Sequence, residues 1–376
     1  MEFGWAAEQT ARYDEALAAA RRFAPETGAP GIAPEAWRAL GEHGLLGASV
    51  EAKFGGAGLG ALDTARMFEA FGRGCPDTGL VFAAAAHLFA CAMPVAEFGT
   101  PATRERLLPG MCAGEVVAGN AMTERGAGSD VSTLATTATP VDGGYLLNGV
   151  KTFVSNGPAA DVFVTYATTD PGAGHFALTA FAVGRDTAGL NVGEPFGKLG
   201  MASCPASEVE FAGCFVPDEG VLGERGQGSI VFQQSMLWER TCLFALYVGL
   251  QDRLIDDVVS HARERGQFGR PLREFQSVSN RIVEMKLRLE SGRLLLYRAC
   301  WVLDQGEPDA MSSALSKLAV SEGALAGAVD AVQIFGGRGY LTGQGAEAAL
   351  RDAVGGTIFS GTSDIQRQIV ARELGL

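Results

Sequence analysis

The sequence predicts an α+β fold: an N-terminal helical domain, a middle antiparallel β domain and a C-terminal domain of long helices. Three observations lead there. Apolar residues recur at helical spacing over residues 1–117, change to short alternating runs rich in Val, Thr, Phe and Tyr over 118–222, and return to long helical repeats over 223–376. The strands stand together instead of alternating with helices, which disfavours a doubly wound nucleotide fold. The composition, 47% hydrophobic and 19% charged over 376 residues, belongs to a chain that buries a large core and offsets its ordering entropy.

In the first zone, residues 8–23 are amphipathic, 34–43 read as a helix with proline near its start, and 62–71 repeat apolar positions at helical spacing. Residues 79–96, GLVFAAAAHLFACAMPVA, tempt a membrane reading. His87, Pro94 and the weakly inserting alanines favour a buried helix instead. Strands are expected at 145–147, 162–166, 178–183 and 208–211, divided by turn clusters such as Asp142-Gly143-Gly144 and Asp170-Pro171-Gly172. Long helices follow at 230–265, 274–304, 310–335 and 363–374.

Several function classes are disfavoured. The net charge of −13 argues against nucleic-acid binding through phosphate neutralisation. Seven scattered cysteines without a C-x-x-C pair fit reduced thiols, and a soluble, cytoplasmic protein without signal peptide is expected. The histidines His43, His87, His175 and His261 are isolated, so no metal is expected. Residues 53–61, KFGGAGLGA, match G-x-G-x-x-A at Gly56, Gly58 and Ala61. Without a strand before them and a parallel sheet around them they read as a plain glycine loop.

Four denser segments remain. Residues 121–130, AMTERGAGSD, combine flexible glycines with the Thr123 and Ser129 hydroxyls, suited to an anionic or carbonyl ligand. Residues 149–157, GVKTFVSNG, put Phe153 and Ser155 on one strand face, suited to stacking and hydrogen bonding. Residues 265–276, RGQFGRPLREFQ, form a basic turn between helices, and 333–340, QIFGGRGY, close a helix with adjacent glycines. Each also has a plain structural reading as a turn, a half-buried strand or a helix cap.

In this order and spacing, with TIFSGTSDIQRQIVAREL at 357–374, the chain resembles the acyl-CoA dehydrogenase superfamily over nearly its whole length. The resemblance implies the acyl-CoA dehydrogenase fold, whose C-terminal domain is a four-helix bundle, together with FAD and, usually, a homotetramer. Met122, Thr123, Gly128 and Ser129 would meet the isoalloxazine edge and pyrophosphate, and Phe153, Val154 and Ser155 would lie beside the ring. Arg265, Phe268, Gln276, Gln333, Gly336 and Gly337 would reach the FAD of a neighbouring subunit, and Thr362 and Asp364 would close the site.

The commonest members carry their catalytic Glu where this chain has Ser360, whose hydroxyl is no base at neutral pH without a partner. A smaller set place the base on a bundle helix before an Arg, and Trp238-Glu239-Arg240 matches them. Glu239 shares its helical face with Ser235, Met236, Cys242 and Leu243. Such a carboxylate is desolvated, which raises its pKa toward the range of a general base. Ser360 would keep its backbone N–H, which in the family helps polarise the thioester carbonyl. Ala202 and Ala206 stand where relatives frequently carry Arg and Thr.

Within the superfamily, residues 79–94, 161–168, 238–244, 285–305 and 357–363 are similar to the flavin-dependent prolyl-carrier-protein dehydrogenases of pyrrole biosynthesis. That likeness implies L-proline held as a thioester on the phosphopantetheine arm of a peptidyl carrier protein. Four electrons would be removed to give the pyrrole-2-carboxyl thioester, with Glu239 taking the α-proton while hydride passes to flavin N5. Another carrier-bound or CoA acyl thioester, and a flavin-free module that binds carriers without catalysis, are the alternatives. Carrier proteins are generally acidic, so docking requires a local basic patch; Arg21 with Arg22, Arg104 with Arg106, and Arg263 with Arg270 are the candidates.

Overall fold

A computed structural model describes residues 4–24, 31–173, 177–307 and 309–376; His175 lies outside them. Among the described residues, six α-helices come first: α1 (Ala7–Ala20), α2 (Pro34–Glu42), α3 (Ala61–Gly74), α4 (Thr78–His87), α5 (Met93–Phe98) and α6 (Pro101–Ala113). A π-helical turn, Leu88–Ala92, joins α4 to α5 without a break. The Asp77 carboxylate accepts from Leu80 N–H at 2.9 Å to cap α4. The span Thr78–Phe98 is long and apolar enough to cross a membrane, but it is packed inside the protein. His87 is buried within it, bonded to the Met111 carbonyl and the Ala118 N–H. Burial pushes its pKa down to about 4, so it sits in the core as a neutral ring.

The glycine loop at 53–61 has a packing explanation. A Cβ on Gly56 would lie 2.1 Å from the Val50 carbonyl oxygen, and one on Gly60 would lie 2.6 Å from the Asp304 carboxylate. Asp304 accepts from the N–H groups of Ala61 and Leu62 and so caps α3 from a distant helix.

Among the described residues, eight strands form one sheet: β1 (Ala118–Ala121), β2 (Thr137–Val141), β3 (Gly144–Ser155), β4 (Val162–Thr168), β5 (Leu178–Gly184), β6 (Leu190–Val192), β7 (Ala206–Pro217) and β8 (Val221–Leu222). Their order is β6-β7-β3-β1-β4-β5-β8, with β2 pairing to β3 and β4. The expectation of an antiparallel domain needs correction at two pairings, β1 with β4 and β2 with β4, which are parallel. β3 and β4 are successive arms that run in opposite directions, and β1 lies between them in the sheet. A strand that is antiparallel to one arm must then run parallel to the other, and β1 pairs parallel with β4.

The C-terminal zone holds α7 (Gly228–Trp238), a second π-helical turn (Glu239–Leu243), α8 (Ala245–Glu264), a small hairpin β9 (Gly266–Gln267) and β10 (Arg270–Pro271), α9 (Gln276–Asp304), α10 (Ala310–Phe335), α11 (Ala346–Gly356) and α12 (Ser363–Glu373). Two apolar cores result. One is confined to the β zone and holds Val154, Phe163, Phe181 and Phe211. The other runs from Ala16 to Ala353 and joins both helical zones and one face of the sheet. Strand β4 serves both: Val162, Val164 and Tyr166 face the helices, while Phe163 and Ala167 face the β core. The helical zones meet closely where α3 crosses α8. A Cβ on Gly72 would lie 2.1 Å from the Leu246 carbonyl oxygen, and one on Gly249 the same distance from that of Glu69.

Candidate active site

Glu239 is the first residue of the second π turn, where the α7 ladder loosens. Such turns occur disproportionately at functional sites. Its carboxylate is buried. Oε2 accepts a 2.6 Å hydrogen bond from the Ser360 hydroxyl, and Oε1 has no partner among the described residues. Burial pushes the pKa up to about 7, with the Ser360 hydrogen bond and the Arg240 charge pulling the other way. The group is thus poised between its forms near neutral pH.

Two π turns face one another here. The Ser235 hydroxyl lies 3.5 Å from the Phe89 carbonyl, and the Phe89 and Trp238 rings stack at 6.3 Å. Trp238 Nε1 donates to Glu97 at 2.8 Å. The Glu239 charge is felt by Cys91, from the first π turn, and by Tyr166, from β4. Tyr166 is fully buried, and its hydroxyl has no partner among the described residues. Cys242 behaves otherwise than the helical spacing predicts. A π turn breaks the three-and-four rule, and the Cys242 thiol points to the Ala61 carbonyl and toward Cys300.

The loop opposite is held in a strained shape. Ser360 has φ +55° and Gly361 φ +87°, in the left-handed region that disfavours a Cβ. The Ser360 carbonyl accepts from Arg240 Nε at 3.2 Å and Gln366 Nε2 at 3.3 Å, and the Gly361 carbonyl accepts from Gln366 Nε2 at 2.9 Å. Arg240, next in the chain to Glu239, therefore acts on the loop that meets Glu239.

An apolar cleft of about 380 Å³ opens beside this loop, lined among others by Phe82, Phe153, Ser155, Phe196, Ile358 and Phe359. Phe153 has φ +54° at a register shift between β3 and β7. It is 66% exposed and meets Phe196 with ring centroids 5.5 Å apart. Val154 differs from its neighbours, because its side chain is buried in the β core. Only its backbone can face the cleft.

Beneath Phe153 lies a buried pair that sequence reading missed. Lys151 Nζ donates to Glu124 at 2.8 Å and to the Met122 carbonyl at 3.2 Å. Glu124 also accepts from the Ala135 and Thr136 N–H groups. Burial lowers the Lys151 pKa to about 8, while its ammonium and these donors hold the Glu124 carboxyl down. The pair fixes the segment carrying Met122, which is buried, and Thr123, whose carbonyl accepts from Thr152 N–H at 2.8 Å. The available signal was a lysine at an inward position of an alternating strand.

The other predicted residues fall into three groups. Ser129 lines a second cleft with Leu134, Leu178 and Phe232, and a Cβ on neighbouring Gly128 would meet nothing within 4 Å. Thr362 caps α12, accepting from Ile365 N–H at 3.2 Å. It lines a third cleft with Ser363 and Asp364, where the buried Ser363 hydroxyl has no partner among the described residues. Arg265, Phe268 and Gln276 are exposed on the β9–β10 hairpin and its flanks. Gln333, Gly336 and Gly337 are exposed at the end of α10, where His261 and Phe335 bring α8 and α10 together with ring centroids 4.7 Å apart. None of these six lines the three clefts just described.

A buried carboxylate with a pKa near neutrality, bonded to the loop that follows the cleft residues Ile358 and Phe359, where a β domain meets a helical bundle, marks a known class. Models of the acyl-CoA dehydrogenase N-terminal, middle and C-terminal domains match residues 7–115, 119–214 and 226–375, and the chain belongs to the acyl-CoA dehydrogenase family. It is 57% identical to an L-prolyl-(peptidyl-carrier protein) dehydrogenase of Pseudomonas fluorescens, over 90% of each chain. It is 45% identical to a protein of the same description from a Serratia species, over 92% of this chain and 89% of that one. The solved structure of PigA with FAD and proline superposes with a TM-score of 0.97 at 42% identity over the full length of both chains.

Proposed function

We propose that the protein is a flavin-dependent dehydrogenase that oxidises an L-prolyl thioester on a peptidyl carrier protein to the pyrrole-2-carboxyl thioester. The observation that carries this reading is Glu239. It is a buried carboxylate with one oxygen held and the other free, its pKa near the working range of a base, in a chain whose relatives act on prolyl carrier proteins.

The residues present fit FAD. The apolar cleft takes a flat ring against Phe153 and Ser155, the orphaned Ser363 hydroxyl sits at the N-terminus of α12, and the space beside Gly128 is open to a phosphate or ribityl group. When bound, FAD supplies the acceptor for the hydride leaving the substrate β-carbon. Glu239 in its ionised form takes the proton from the α-carbon, which the thioester has acidified. The N–H of Ser360, which donates to no group among the described residues, polarises the thioester carbonyl and stabilises the developing enolate. The first oxidation leaves no hydrogen on the α-carbon, so the second takes its two hydrogens elsewhere on the ring after an external electron acceptor has reoxidised the flavin; together they remove four hydrogens, and the aromatic product favours the second.

We also infer a homotetramer. Val283, Leu287, Leu294 and Trp301 lie on one stripe of α9 and are 63%, 58%, 48% and 39% exposed. Phe268, 92% exposed, projects from the same end of the bundle as Arg265, Gln276 and Gln333, which suits residues that reach a neighbour's cofactor.

Two incubations test the reading. With flavin-loaded protein, a prolyl carrier protein is expected to lose the mass of four hydrogens while prolyl-CoA is left unchanged. Loss of only two hydrogens, or equal action on the CoA ester, overturns it. Glu239→Gln is expected to lower turnover by at least about 100-fold with flavin still bound, and full activity in that variant refutes the base.

A further inference from the structure

The Ser360 side chain does something that its backbone role does not require. We propose that the Ser360 hydroxyl is a positioning group for Glu239: it holds Oε2, fixes the carboxylate plane and leaves Oε1 as the atom that receives the proton. The inference rests on Glu239 being the base.

Geometry carries it. The Ser360 Oγ to Glu239 Oε2 distance is 2.6 Å, the short range of a hydroxyl donating to a charged acceptor. Oε1 is buried and unpartnered, so the two oxygens are not equivalent. The donor cannot drift, because the Ser360 carbonyl is bonded by Arg240 and Gln366 and a Cβ at Gly361 would lie 2.7 Å from Gln366 Nε2. Arg240 follows Glu239 in the chain. The π turn and the loop are therefore tied twice, once in each direction: the Arg240 side chain to the Ser360 carbonyl, the Ser360 side chain to the Glu239 carboxylate.

The surrounding groups leave this task to Ser360. Arg240, on the same π turn, acts on Glu239 through its charge and spends its Nε donor on the loop. Lys317 of α10 and Arg372 of α12 act on Arg240. Cys91 and Tyr166, from the facing π turn and β4, have their ionisation pushed up by burial and are neutral near pH 7; neither bonds the carboxylate. A hydroxyl also suits a group that must accept and release a proton. A cation at position 360 would hold the carboxylate far below neutrality and destroy its basicity, whereas a neutral donor orients it at smaller cost and remains when Glu239 is protonated.

The test is an infrared titration of the substrate-free protein, following the protonated carboxyl band that Glu239→Gln removes. In Ser360→Ala the midpoint is expected to rise by about one pH unit, the scale of one hydrogen bond to a charged acceptor. In Ser360→Thr, which keeps the hydroxyl, it is expected to return toward the parent value. The acid limb of kcat/KM for the prolyl carrier protein should move upward with it, so that Ser360→Ala loses most activity at low pH and least at high pH. An unmoved midpoint, or an equal loss at every pH, overturns the proposal. Turnover by Glu239→Gln would remove the base assignment instead, and the infrared midpoint of Ser360→Ala would still report whether the hydroxyl holds the carboxylate.

Discussion

A raised carboxylate pKa is also a statement about stability. Glu239 goes from an ordinary value of 4.5 to about 7 on folding, so the folded chain holds that proton more tightly than the unfolded one. The stability it contributes is complete below about pH 4.5 and is lost as the pH rises through 7, a change on the order of 3 kcal/mol. Glu239→Gln is therefore expected to gain thermal stability relative to the parent as the pH is raised from 5 to 8, measured on flavin-free protein by the unfolding midpoint. A constant difference across that range would contradict the burial described. At this scale the sequence was partly legible. The Trp-Glu-Arg run and its apolar neighbours single out position 239, but its partner Ser360 lies 121 residues away. No local pattern records a contact that depends on how two distant turns dock. Val154 was opaque for a related reason: a register shift after Lys151 resets which side chains face inward.

Among the elements, the α3–α8 crossing invites a direct experiment. Helix propensity favours Ala over Gly by up to about 1 kcal/mol, yet a Cβ on Gly249 would lie 2.1 Å from a backbone carbonyl oxygen, and overpacking costs about 1–3 kcal/mol. Gly249→Ala is expected to lower the urea midpoint with little change in slope. Gly327→Ala on α10, where a Cβ would meet nothing within 4 Å, is expected to raise it. The helix limits were well forecast: α10 spans Ala310–Phe335, as its periodicity indicated. The π turns were not, since one extra residue in a turn leaves no gap in an apolar run, and 230–265 reads as a single helix although it divides at Glu239. The inserted strand β1 was equally hidden, because four residues carry too little alternation to reveal their partners.

For the whole molecule, assembly and cofactor binding are expected to stand or fall together. Replacing Leu287 and Leu294, both about half exposed on α9, with Glu should shift sedimentation toward smaller species. If neighbours share the site, FAD affinity should then depend on protein concentration. Unchanged sedimentation would clear α9 of an interface role. The division into three zones was readable from the change in period, but the sharing of one core between the first and the last was not, since periodicity reports a face and not what covers it. That sharing has a consequence for synthesis. The stretch Thr78–Phe98 leaves the ribosome well before α8, with which it shares a core. At about 5–20 residues per second it waits roughly 8–30 s for that cover, so a nascent chain of this protein is a natural client for chaperones that shield oily segments during translation.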